Sequence, residues 1–250
     1  MTEDSQGNGR FWWIGLLIPA LIANAAFIWW PRPRVREDGF FPRCSNHLKF
    51  IALRLHNYHE DHGQFPPAYV ADKSGNPMHS WRVLLLPYLN EGDLFSEYNF
   101  EEPWDGPGNS RLADQMSVVF GCPEQKVARN RRWTTSTTNY LAVVGPDAAF
   151  AQDGARTRSD FKDNTHFTVM IVEATDSDVN WLEPRDLAME ESLPIKNAPH
   201  EDESSGLSAG PAVFAAFADG TIRLIPSDIS PATLKGLITI NGGEPAPQGI

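Results

Sequence analysis

Apolar residues recur every three or four positions between residues 43 and 62, a spacing that predicts an amphipathic helix. Leu48, Ile51 and Leu55 fall on one face of this helix, and polar residues occupy most of the opposite face. Gly63 follows the last helical position, where a glycine commonly ends a helix, and two prolines shortly after it prevent continuation. The segment therefore predicts a helix that buries one face.

Further along the chain, apolar residues recur at a shorter spacing. Continuous or alternating apolar runs predict strands at residues 117–120, 139–144, 167–172 and 213–217. The stretch FADGTIRLI predicts a hairpin turning at Asp219-Gly220, because Asp-Gly is a strong two-residue turn sequence. Short helices are expected at residues 81–86 and 231–238, the second capped by Ser230. A helix followed by strands predicts an α+β fold with antiparallel pairing.

A second kind of pattern lies near the N terminus, where residues 11–30 carry no charge. As a helix this segment would be roughly 30 Å long, the thickness of a bilayer's hydrocarbon core. Its ends are marked by amphipathic indoles, which favour the membrane–water interface: Trp12, Trp13, Trp29 and Trp30. The alternatives are a cleaved signal, for which Arg10 and Ala23-Asn24-Ala25 are suitable, and a buried soluble helix. We favour an uncleaved single-pass anchor.

These patterns divide the chain into five parts. The predicted parts are a leader (1–10), a transmembrane helix (11–30), a Pro/Arg linker (31–40), a globular domain (41–240) and a flexible tail (241–250).

Charge limits the partners of the domain. The chain has 21 Lys and Arg against 32 Asp and Glu, a net charge of −11. An acidic balance argues against nucleic acid, because phosphates require a basic surface. Within this balance Arg32, Arg34 and Arg36 follow the apolar segment while only Arg10 precedes it, so the positive-inside rule would keep the domain in the cytoplasm.

The two cysteines, Cys44 and Cys122, lack the C-x-x-C spacing of a zinc site. If the domain is exported, they are candidates for one disulfide. If it is cytoplasmic, small buried residues are the simpler interpretation. The sequence leaves both interpretations open.

Motifs for chemistry are weak. His56 and His59 lie three residues apart on the predicted helix, so they could hold one metal ion together, but zinc would need further ligands from elsewhere. The stretch GLSAG at 206–210 matches a nucleophile-elbow pattern without the strand before it and the helix after it that the elbow requires. We predict no catalytic residues and no cofactor.

Other side chains are candidates for binding. Trp104 and Trp181 could contact a glycan or peptide if they are exposed, although core packing is the more common use of tryptophan. Glu173, Glu183 and Asp186 flank a predicted strand and turn, and paired carboxylates can perform acid–base work or bind calcium.

Six segments carry a resemblance to a known family. They occur in the order CSNHLKFIALRLHNYHEDHGQFPPAYV, HSWRVLLLPYL, EPWDGPGNSRLA, TNYLAVVGP, WLEPRDL and FAAFADGTIRLI. Together they resemble the bacterial family of domain of unknown function fifteen-fifty-nine (DUF1559), whose members often have prepilin-type N termini and an H-(nine residues)-DG signature. The resemblance implies a pilin-like fold, with a long N-terminal helix that is membrane-embedded in its first half and packed on an antiparallel sheet in its second. It also implies a domain outside the cytoplasm, against the arginine count.

Two departures from the family pattern matter. Gly15 stands where prepilins carry an intramembrane glutamate that helps assembly, and Arg10 replaces the glycine of the cleavage point. In the signature, Asp219 and Gly220 are present but Ala209 stands where the histidine belongs. The first departure indicates a permanent anchor that does not enter a filament.

The expected function is a membrane-anchored, pilin-like, non-enzymatic structural or interaction module of the cell envelope, with its C-terminal domain outside the cytoplasmic membrane. The alternative is an extracytoplasmic protein that binds a glycan, a peptide or a cation. The membrane is the one partner we predict.

Overall fold

The computed structural model describes residues 41–123, 136–152, 154–174, 177–189, 212–226 and 228–243. The predicted leader, transmembrane helix and linker, the GLSAG stretch and most of the tail lie outside the described residues. Among the helices that are described, none has both the length and the apolar character needed to cross a membrane.

The first described element is helix α1, Phe41–His62, which confirms the helix predicted from periodicity. Leu48, Ile51 and Leu55 are completely buried, as the apolar stripe requires. The helix ends at Gly63, whose φ of 73° lies in the left-handed region and whose N–H donates to the His59 carbonyl at 2.8 Å. This arrangement is a helix stop that glycine adopts without strain.

A five-stranded sheet follows in the chain. Its strands are β3 (Tyr140–Val144), β4 (Val169–Glu173), β5 (Leu187–Ala188), β6 (Ala212–Phe217) and β7 (Ile222–Pro226). Their order is β5-β3-β4-β6-β7, and all pairs are antiparallel except β3 with β5. The strands predicted near 139–144, 167–172 and 213–217 are present, and the fold is α+β.

Both faces of the sheet are buried, because successive side chains along a strand point to opposite sides. Helix α1 packs on one face, against β4, β6 and β7. The strand residues in the same core as α1 include Tyr140, Ala142, Phe214 and Ala216. Their neighbours along the strands belong to a second core: Leu141, Val143, Val213 and Ala215.

The second core is closed by helix α4, Pro231–Ile238, through the buried Leu237 and Ile238. Ser230 caps it by accepting a hydrogen bond from the Thr233 N–H at 3.1 Å. The predicted cap and helix are confirmed.

Between α1 and β3 the chain forms a hairpin, β1 (Tyr69–Ala71) with β2 (Pro77–Ser80), and two short helices, α2 (Trp81–Leu84) and α3 (Gly92–Glu97). Several 3-10 turns connect these elements to the sheet.

In this region one predicted helix is present but shorter than expected, and one predicted strand is wrong. The helix expected over residues 81–86 ends at Leu84, and a 3-10 turn at Leu86–Leu89 follows, since Pro87 lacks the N–H that would continue an α-helix. The strand expected at residues 117–120 is a 3-10 turn closed by the Phe120 N–H on the Ser117 carbonyl. Val118 is 65% exposed, so the apolar run there does not mark a buried strand.

Candidate functional site

The Asp219–Gly220 turn joins β6 to β7 and confirms the hairpin predicted from the sequence. Gly220 has a φ of 83°, a conformation that disfavours any residue with a Cβ. The carboxylate of Asp219 accepts hydrogen bonds from Thr221, from its N–H at 2.9 Å and from its hydroxyl at 2.7 Å. Both signature residues are therefore required by the shape of this turn.

A histidine contacts the turn from elsewhere in the chain. His166, in a 3-10 turn at Thr165–Phe167, places Nδ1 at 2.6 Å from Oδ2 of Asp219. Burial alone would raise the pKa of Asp219, but the hydrogen bonds from Thr221 and His166 outweigh it and lower that pKa. No pattern in the sequence points to His166, because it lies 53 positions from Asp219 and no spacing rule links residues so far apart.

The other side of the turn meets helix α1. His56 Nε2 lies 3.6 Å from the position that a Cβ on Gly220 would occupy, and the guanidinium of Arg158 lies 3.3 Å from His56 Nδ1. Arginine only donates hydrogen bonds, so Nδ1 is the acceptor and the ring is neutral in this arrangement. Burial, and next the charge of Arg158, lower the pKa of His56.

His59 lies one turn further along α1, and its ring centroid is 4.7 Å from that of Phe65. Burial and then Arg158 lower its pKa as well. The geometry does not favour the predicted metal pair with His56. A guanidinium already holds the Nδ1 lone pair of His56, and within the described part of the chain no third ligand converges on these histidines.

Arg223 completes the surroundings of the turn. Its guanidinium stacks on the ring of Phe217 at 3.8 Å from the centroid and lies 5.4 Å from that of Phe167. This stacking is a cation–π contact that joins β7 to the second core. The Asp219–Gly220 turn is thus surrounded by four titratable or charged side chains: His56, Arg158, His166 and Arg223.

The three carboxylates predicted around residues 173–186 serve separate purposes. Asp186 forms a buried ion pair with Arg82 at 2.6 Å and also accepts from the Trp81 indole at 3.1 Å and the Ala142 N–H at 2.7 Å. Glu183 instead binds the partly exposed Arg185 at 2.7 Å. Asp186 thus ties helix α2 to strand β3, which is a structural role.

Both tryptophans proposed for ligand contact pack in or against the first core. Trp181 is completely buried and donates its indole N–H to the Ala113 carbonyl at 2.9 Å, so its side chain packs in the core instead of facing the surface. Trp104 is half-buried, packs on the first core and donates its backbone N–H to the Met78 carbonyl at 3.0 Å.

The loop around Trp104 is closed by Asn109, which is buried. Its side chain donates to the carbonyls of Asn99, Glu102 and Pro103. The EPWDGPGN segment is therefore a loop whose shape is fixed by hydrogen bonds from one buried side chain.

Cys44, in the first turn of α1, is joined by a disulfide to Cys122. Their Cα atoms are 5.1 Å apart, inside the range that disulfides require. Glu173, at the end of β4, is also buried, and a carboxylate oxygen lies within 4.8 Å of both sulfurs. Among the described residues this is the one group of three candidate metal ligands that converges.

Comparison with known sequences identifies one family. The sequence model of the family described as "Protein of unknown function (DUF1559)" matches residues 42–221, which is most of the chain. No curated protein and no solved structure matches the chain.

Proposed function

Since the chain belongs to the DUF1559 family, whose function is unknown, we propose a function that is based on the sequence and the structure of this chain. The protein is a membrane-anchored, pilin-like, non-enzymatic interaction module of the bacterial cell envelope. Its C-terminal domain lies on the outer side of the cytoplasmic membrane.

The observation that carries this proposal is the Cys44–Cys122 disulfide. Disulfides persist in oxidising compartments and are rare in the cytoplasm, where thiols are kept reduced. A disulfide between α1 and the chain before the sheet therefore supports export of the domain. We give it more weight than the arginines that follow the apolar segment, which form a bias of only a few charges.

The pilin-like part of the proposal is supported by the order of elements. The uncharged residues 11–30 precede α1 in the chain, and α1 packs on an antiparallel sheet. Gly15 replaces the glutamate that prepilins use in assembly. We therefore propose a permanent anchor that presents one domain, rather than a filament subunit.

The non-enzymatic part rests on the roles of the polar side chains. Asp186 joins two elements, Asp219 shapes a turn, and His56 is held by Arg158. In the described part of the chain these groups stabilise the fold and form no nucleophile–base pair. The ligand-binding alternative is weaker, because Trp181 is in the core.

Protease accessibility tests the proposal. Cells with a permeabilised outer layer and an intact cytoplasmic membrane are treated with protease, and the surviving fragment is weighed by mass spectrometry. We expect digestion of the domain and protection of a fragment around residues 11–30. Protection of the whole domain until the cytoplasmic membrane is broken would place it in the cytoplasm and overturn the proposal.

A further inference from the structure

We propose that Cys44, Cys122 and Glu173, once the disulfide is reduced, form a binding site for a thiolate-preferring divalent metal ion of the zinc class. The inference rests on the fold alone and does not depend on the function proposed above. It assigns the same two sulfurs to two exclusive states, a disulfide and a metal-bound dithiolate.

The distances fit such an ion. The two sulfurs and a carboxylate oxygen all lie within 4.8 Å of one another. Zinc–sulfur bonds of about 2.3 Å at a tetrahedral angle separate two sulfurs by roughly 3.8 Å, and zinc–oxygen bonds are slightly shorter. Once the sulfur–sulfur bond is released, the sulfurs must move apart by roughly 2 Å to admit the ion between them.

The donors are held by separate elements of the fold. Cys44 comes from the first turn of α1, Cys122 from the chain after a 3-10 turn, and Glu173 from the end of β4. The Asn139 side chain accepts from the Cys122 N–H at 2.7 Å, and the Tyr140 hydroxyl donates to the Cys44 carbonyl at 3.0 Å. These bonds fix the backbone beside both sulfurs without using the sulfur atoms.

All three proposed ligands are buried. Cys44 and Glu173 are completely buried and Cys122 is 3% exposed. Two thiolates held side by side in such a site repel each other because water does not screen their charges, and a divalent cation offsets that repulsion. Three protein ligands also leave one tetrahedral position, which water can fill.

The redox step is balanced by a dithiol reductant. Two electrons and two protons pass from the dithiol to the Cys44–Cys122 bond, which gives two protein thiols and the oxidised reductant. Binding of the metal ion then releases the two thiol protons. A newly made chain carries the same two thiols until its disulfide forms.

Cobalt(II) is a suitable probe, because tetrahedral thiolate coordination produces sulfur-to-cobalt charge-transfer absorption. The full chain, kept in mild detergent, is reduced with dithiothreitol, freed of reductant under anaerobic conditions and titrated with Co²⁺. We expect the charge-transfer band to saturate at one ion per chain, to be displaced by Zn²⁺, and to be missing from the oxidised chain.

Two variants separate this site from non-specific binding by thiols. Glu173→Gln should weaken Co²⁺ binding by at least about tenfold. Loss of a residue that only supports a metal ligand already costs about tenfold or more in affinity, and Glu173 is proposed as a ligand itself. Glu183→Gln is the matched control, because Glu183 lies on the following turn and binds Arg185. It should leave the titration unchanged.

Near-ultraviolet circular dichroism reports whether the reduced chain keeps its fold. The proposal is overturned if the reduced, folded chain shows no charge-transfer band, or if Glu173→Gln binds as tightly as the unmodified chain. It is also overturned if the reduced chain unfolds and Co²⁺ does not restore its signal, since a site built by the fold would stabilise it.

Discussion

At the scale of single residues, Asp186 joins two distant segments of the chain. Its carboxylate accepts from Arg82, Trp81 and Ala142 in a place where both members of the ion pair are almost completely buried. The HSWR segment supplies the cation of this pair and the WLEPRD segment supplies the anion.

Asp186→Asn should therefore lower the free energy of unfolding by about 3–5 kcal/mol, because it leaves the charge of Arg82 buried without its partner. Urea unfolding followed by tryptophan fluorescence measures the loss. Asp178→Asn is the control, since Asp178 pairs with Arg185 at an exposed site, and about 1 kcal/mol or less is expected. Equal losses in the two variants would contradict the structural role of Asp186.

The histidines of α1 give a prediction about pH. The pKa values of His56 and His59 are below the ordinary value of 6.5, so the folded state favours the neutral rings. At pH values below 6.5 the unfolded chain then binds more protons than the folded chain, and the stability that these rings contribute is lost as the pH falls.

His56→Gln should accordingly reduce the loss of stability between about pH 7.5 and pH 5.5. The charged groups around His56 are Arg158, Glu60 and Asp219, with His59 on the same helix. The difference in pH dependence between the variant and the unmodified chain therefore measures the contribution of the His56 ring. Urea unfolding at both pH values provides the test, and an unchanged pH dependence would disprove this assignment.

At the scale of elements, the disulfide ties the start of α1 to the chain 78 positions further on. A cross-link over a loop of this length restricts the unfolded chain, and the loop-entropy relation gives a stabilisation of about 4.5 kcal/mol. In the folded chain it joins the first turn of α1 to the segment that precedes β3.

The double variant Cys44→Ala, Cys122→Ala should lower the free energy of unfolding by about 2–5 kcal/mol, and reduction of the unmodified chain should have a similar effect. Guanidinium unfolding with and without reductant measures both. If reductant destabilises the double variant as much as the unmodified chain, the effect does not come from this disulfide.

Elements with a clear period were predicted correctly, and three of the four short apolar runs predicted as strands are strands, but the run at residues 117–120 is not. Helix α1 has an apolar stripe over several turns, and the hairpin has an Asp-Gly turn, so local rules are sufficient for both. Residues 117–120 are apolar too, yet they form a 3-10 turn with Val118 exposed. A run of four residues carries too little periodicity to separate a strand from a turn.

At the scale of the whole molecule, the sheet has helices on both faces. Helix α1 closes one core and α4 the other, so the central strands are buried on both sides. This explains why β6 reads as a continuous apolar run instead of an alternating one.

The proposed localisation predicts the redox state of the protein in its cell. Rapid acid quenching followed by a maleimide mass tag should leave Cys44 and Cys122 unlabelled unless the sample is first reduced, because exported domains retain disulfides. Gel shifts of the full chain measure the labelling. A full shift without prior reduction would mean that the domain resides in a reducing compartment, and the export proposal would then fail.

By itself, the amino-acid sequence determined α1 with its glycine stop, the β6–β7 hairpin and the capped helix α4. Each depends on residues within a few positions of one another, where periodicity and turn chemistry act. It also identified Cys44 and Cys122 as a candidate pair. Only the tertiary structure decided that they lie beside Glu173, that Asp186 pairs with Arg82, and that His166 reaches Asp219. These contacts join residues dozens of positions apart, and no local pattern encodes which distant side chains the packing of a sheet and its helices will bring together.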